Sequence, residues 1–115
     1  MKPDTPIGRL DQALDRLTWP ATRQVEHLRR WGVGPDELAL EFDDAYRMVP
    51  ALVSRGTLPD DVGTRLREVD SLLAEMSDGT DTAWTDEAMT RSPMWDRLRR
   101  AAQEALEALR TNRMT

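Results

Sequence analysis

Apolar residues recur along this chain at helical spacing, and no stretch alternates as a strand would. Thr5 is placed to cap a first helix with Pro6 at its first position. Ile7, Leu10, Leu14 and Leu17 then fall on one face, which ends near Thr18. Pro20 restarts the chain, and Ala21, Val25 and Leu28 make a second stripe that closes at Trp31-Gly32. Gly34-Pro35 opens a third helix whose Leu38, Phe42, Ala45 and Val49 share a narrow arc; Pro50 breaks or kinks it before Ala51-Leu52-Val53. Gly56 ends that piece. Pro59 begins a long fourth helix with the clearest amphipathic stripe of the chain, Val62, Leu66, Val69, Leu73 and Met76. A polar loop, Ser77-Asp78-Gly79-Thr80-Asp81-Thr82, separates it from a short fifth helix. There Thr85 is the expected cap, and Trp84 and Met89 are spaced as a hydrophobic staple. Ser92-Pro93 starts the last helix, with Trp95, Leu98, Ala102, Ala105 and Leu109 at steps of three and four.

These six segments predict an all-α fold, a single compact bundle of five to six helices over residues 1–115, with residues 1–5 and 111–115 frayed. At 115 residues there is material for one modest core. With no cysteine, the fold rests on packing alone, with neither a disulfide nor a thiolate metal site, and a cytoplasmic location is the best fit. The start of the chain shows no apolar signal-peptide region, and no apolar run approaches the ~20 residues that span a bilayer. Trp19, Trp84 and Trp95 precede or open helices and read as packing pieces. Trp31, flanked by Arg29 and Arg30 at a glycine turn, is the tryptophan expected to be exposed.

Charge changes the picture more than composition does. The formal net charge is −5, but residues 32–96 carry 15 acidic and 5 basic side chains, a net of −10 between flanks of +2 and +3. Asp36-Glu37-Leu38-Ala39-Leu40-Glu41-Phe42-Asp43-Asp44 holds five of those carboxylates and no base. Such a field repels nucleic acid and anionic membrane and speeds encounter with a basic protein. Residues 25–42 have the outline of a helix–turn–helix, but the second helix would present a row of carboxylates to a polyanion, the wrong sign for binding it.

Catalytic chemistry has little inventory. One histidine, His27, lies off the apolar stripe of its helix and reads as a surface or rim residue. The serines sit in no glycine elbow, and no phosphate-binding glycine loop is present. Glu37–Glu41 and Asp60–Asp61 are candidate cation or acid–base pairs. They lack the Glu-x-x-His partners of a di-metal bundle, and Asp78-Gly79-Thr80-Asp81 lacks the ligand count of an EF-hand. Solvated carboxylates are the simpler reading, and neither a catalytic residue nor a cofactor or metal is expected.

The third helix supports a sharper expectation. At ~100° per residue, Leu40 points away from the Leu38–Phe42 arc, with Asp36, Asp43, Asp44 and Arg47 around it. An apolar anchor ringed by carboxylates has the anatomy of a protein-binding patch. The alternative makes Leu40 a second core contact, with Asp36 and Glu37 serving the helix dipole. The runs Asp36–Asp44, Leu72-Leu-Ala-Glu-Met-Ser77, Trp84-Thr-Asp-Glu-Ala88 and Ser92-Pro-Met-Trp95 together resemble a group of small, uncharacterised all-helical bacterial proteins, over about residues 36–109. In size and charge these are similar to toxin-neutralising immunity proteins. The −10 central block, the thin catalytic inventory and the Leu40 setting point the same way, to a non-enzymatic module that occludes a basic toxin domain, with Asp36, Leu40, Asp43 and Asp44 as expected contacts and Glu37 and Glu41 as steering charges. A homodimeric structural or regulatory module is the competing expectation, and a small carboxylate- or metal-dependent hydrolase a more distant one.

Overall fold

The computed structural model describes residues 5–78 and 81–114, apart from the side chains of Asp81 and Met114; the Gly79-Thr80 part of the candidate EF-hand loop lies outside the described residues. The described chain is all helical: α1 (Pro6–Thr18), α2 (Ala21–Trp31), α3 (Asp36–Tyr46), α4 (Val49–Ser54), α5 (Asp60–Ser77), a 3-10 turn at Asp81–Ala83, α6 (Asp86–Arg91) and α7 (Pro93–Met114). Five of these helices have eleven residues or more, and α4 and α6 have six each. The radius of gyration is 13.9 Å, close to the ~13 Å expected for a folded chain of this length.

The local signals act as their chemistry requires. The Thr5 hydroxyl accepts from the Gly8 amide at 2.9 Å, with Pro6 starting the helix. Thr85 accepts from the Ala88 amide at 3.0 Å and caps α6 in the same way. Gly32 closes α2 at φ 67°, a left-handed conformation in which a side chain would be strained. Of the expected break or kink, Pro50 gives a break, and it falls ahead of Val49. Its ring would clash with the carbonyl of Tyr46, four residues earlier, so α3 stops at Tyr46. Val49 and Pro50 then begin a separate short helix, and Val49 reaches the core from α4 rather than from α3.

The long α7 is the spine. It packs along α1 on one side and α5 on the other, while α3 lies across α1 and touches α5. Trp95, Leu98, Ala102, Ala105 and Leu109 have no exposed surface, and the five-residue stripe of α5 is buried against them. A side chain at Gly63 would meet the Val53 Cγ2 at 2.9 Å, so this glycine lets α4 approach α5. Ion pairs tie the surface of the bundle: Arg110 and Arg113 hold Asp11 at 3.1 and 3.4 Å, and Arg65 holds Glu104 at 2.9 Å. Fraying is expected from Thr111, yet α7 runs on to Met114 with Arg113 anchored on α1.

Candidate functional site

Three turns of α3 set the geometry. Leu38, Phe42 and Ala45 go into the core, so Asp36, Leu40, Asp43 and Asp44 face outward. Leu40 is 56% exposed, which settles its placement: it is not a core residue. Asp36, Glu37, Asp43 and Asp44 form no ion pair among the described residues. Asp11, Asp86 and Glu104 are each matched by an arginine of another helix, whereas α3 and α5 both keep acids outside any ion pair among the described residues, Asp60, Asp61, Asp70 and Glu75 being those of α5.

Asp70 of α5 adds to this face. Burial raises its pKa first, and the Asp43 carboxylate raises it further, so the two acids oppose each other where α3 meets α5. Sequence spacing gives no sign of this, because Asp70 merely borders the apolar stripe of α5. Only the α3–α5 packing brings the two together.

Glu41 turns the other way. It is half-buried, its Oε2 accepts from the Arg16 guanidinium of α1, and its charge is thereby matched within the chain rather than projected to solvent. The Glu41 Oε1 is buried with no hydrogen-bond partner. Burial pushes this carboxyl above its ordinary pKa, against the pull of Arg16, and the nearby Glu37 carboxylate adds to the push.

Glu37 and Glu41 line one wall of a groove between α1, α2 and α3, with a volume of about 300 Å³. Arg16, His27, Trp31 and Val33 complete its walls, and Leu28 and Leu38 form an apolar floor. Trp31 is 69% exposed, as expected of a tryptophan at the glycine turn. The other three follow the packing expectation: Trp95 is wholly buried with its indole N–H donating to the Ala83 carbonyl at 2.7 Å, and Trp19 and Trp84 are half-buried.

His27 lies at the rim of this groove, edge-on to Trp19 at 5.3 Å and to Trp31 at 6.5 Å between ring centres. Its pKa is lowered, chiefly by burial and then by the charges of Arg16, Arg30 and Arg23, so the imidazole is held towards its neutral form. Its neighbours are rings and guanidiniums rather than a hydroxyl nucleophile. Among the described residues no group of three or more histidines and acids is arranged to hold a metal ion.

Among the described residues the large apolar side chains that are exposed, Trp31, Val33, Leu40 and Met48, all belong to α2, α3 and the turns that flank α3. Glu37 joins the two halves of this surface, since it lines the groove and lies three residues before Leu40, a neighbour on the helix surface. Compared with protein-family models, curated proteins and solved structures, the chain matches none of them.

Proposed function

We propose that this chain is a non-enzymatic, acidic protein-binding module of the toxin-neutralising kind, acting in the cytosol on a basic partner domain. The observation that carries the reading is Leu40, 56% exposed on α3 between Asp36, Asp43 and Asp44, whose carboxylates have no cation among the described residues. An apolar side chain that leaves water on association supplies an anchor, while unpaired charges around it steer the partner and select its sign. Four unpaired carboxylates on one eleven-residue helix repel one another, and a basic partner relieves that repulsion. No helix among the described residues is long and apolar enough to cross a membrane. The cytosolic assignment rests on the absence of cysteine.

The test is association kinetics with the protein encoded beside this chain's gene, where that neighbour carries a basic C-terminal domain. Asp43→Lys with Asp44→Lys lowers the association rate about tenfold or more and flattens its dependence on salt. Unchanged rate and unchanged salt dependence overturn the electrostatic reading. A metabolic operon around the gene counts against neutralisation.

A further inference from the structure

We propose that the groove between α1, α2 and α3 receives one arginine side chain of a basic protein partner, its guanidinium against the Trp31 indole and its N–H fork on Glu37 and Glu41. The proposal rests on the protein-binding reading above and names the contact that the groove makes.

Hydrogen-bond accounting gives the first argument. Arg16 satisfies one oxygen of Glu41, and the other oxygen is buried without a donor. Glu41 lines the groove, so a donor entering it meets a carboxylate with acceptor capacity that Arg16 leaves unused. Charge balance gives the second. Glu37 and Glu41 are like charges one turn apart, and Arg16 is the arginine that lines the groove with them, Arg23 lying over Trp19 and Arg30 pairing with Glu26. His27 does not supply the missing cation, because burial and three arginines hold its ring neutral. A second guanidinium fits the deficit.

The lip of the groove gives the third argument. The Trp31 indole is 69% exposed and makes no hydrogen bond with the described residues. Guanidinium stacking on indole already occurs nearby, where Arg23 lies 3.8 Å from the centre of the Trp19 ring. Arginine suits this site better than lysine because its planar fork donates to two carboxylates while its face lies on an aromatic ring. At about 300 Å³ the groove is at the small end of ligand sites, a space for one side chain rather than for a cofactor.

The probe is the tripeptide acetyl-Gly-Arg-Gly-amide, titrated into the full chain and followed by amide and indole NMR shifts. Its citrulline counterpart, equal in shape without the charge, is the control. Saturable shifts at the Trp31 indole N–H and at the Val33 and Glu37 amides are expected, with citrulline at least tenfold weaker. Trp31→Ala and Glu37→Gln, both at exposed positions, each weaken the arginine peptide at least fivefold, and Asp60→Asn at the start of α5 does not. Equal binding of citrulline, or shifts spread along the acids of α3 and α5 that ignore Trp31→Ala, overturn the proposal. If the Asp43→Lys, Asp44→Lys kinetics behave as expected while the arginine peptide fails these tests, the groove alone is wrong. Unchanged kinetics overturn the parent reading whatever the peptide does.

Discussion

Gln24 sits where α1, α2 and α7 meet, with no access to solvent, and its amide is used completely. Its two N–H groups donate to the carbonyls of Arg16 and Leu17 at 2.9 and 3.2 Å, at the end of α1. Its oxygen accepts from the Arg99 Nε at 3.1 Å and Nη2 at 2.9 Å, and Arg99 also donates to the Met89 carbonyl. Burial lowers the Arg99 pKa, so this guanidinium is short of water and depends on those acceptors. Gln24→Leu takes one acceptor from the buried Arg99, which keeps Met89 and Asp96, and takes the side-chain donor from the Leu17 carbonyl, at an expected cost of about 1–3 kcal/mol. Adding Arg99→Leu removes the guanidinium that lost its acceptor, so the double variant is more stable than the sum of the singles by about 0.5 kcal/mol or more. Urea unfolding of the four proteins measures both numbers, and strict additivity would show that the two side chains are not coupled. His27 makes a pH-dependent contribution of definite sign. Its folded pKa lies below the ordinary imidazole value, so the unfolded chain binds the extra proton more readily. Stability is therefore lost as pH falls below about 6.5. His27→Gln removes that part of the slope, visible as flatter thermal midpoints between roughly pH 5 and 7. Glu41, with a raised pKa, acts in the opposite sense, stability rising as pH falls towards its ordinary carboxylate range.

At the scale of the helix, α3 divides its residues so sharply that two leucines two positions apart have different fates. Leu38 is 3% exposed and Leu40 is 56% exposed. Leu38→Ala is expected to destabilise by about 2–5 kcal/mol, the usual range for emptying a core leucine site. Leu40→Ser should leave stability within about 0.5 kcal/mol and show its effect only when a partner is present. A loss of more than about 1.5 kcal/mol in Leu40→Ser would place Leu40 in a packing role. The apolar stripes were legible because each depends on spacing within its own helix: α5 and α7 bury the residues their periodicity names. Leu40 was legible only as a direction, since whether another helix covered that side depended on tertiary packing. Gln24 was hidden for a related reason. It lies between Ala21 and Leu28 on the apolar face of α2, and a polar residue there is tolerable only because Arg99, seventy-five residues away in the chain, completes its bonds. Asp70 joined the acidic face through packing alone, and Glu41 was drawn inward by Arg16 of another helix.

For the whole molecule, the distribution of paired and unpaired charge bears on whether the exposed apolar residues serve a second copy of the chain or a different protein. The commonest homodimer uses one patch twice about a two-fold axis, so each side chain meets the same neighbourhood on the other subunit. Centred on Leu40, that arrangement would bring Asp36, Asp43 and Asp44 of both copies together without an intervening base other than Arg47. Like charges facing across a drying interface cost several kcal/mol, more than one exposed leucine on each side returns at about 2–3 kcal/mol when fully buried. The chain is therefore expected to sediment at its monomer mass of 13.1 kDa from micromolar to roughly millimolar concentration in low salt. Salt near 1 M shortens the screening length to about 3 Å. Any weak self-association should appear only then and should fade in Leu40→Ser. A dimer that is present in low salt and loosens as salt is added would reverse this account, because attraction rather than repulsion would then be what the salt screens, and the acidic face would belong to a homo-oligomer.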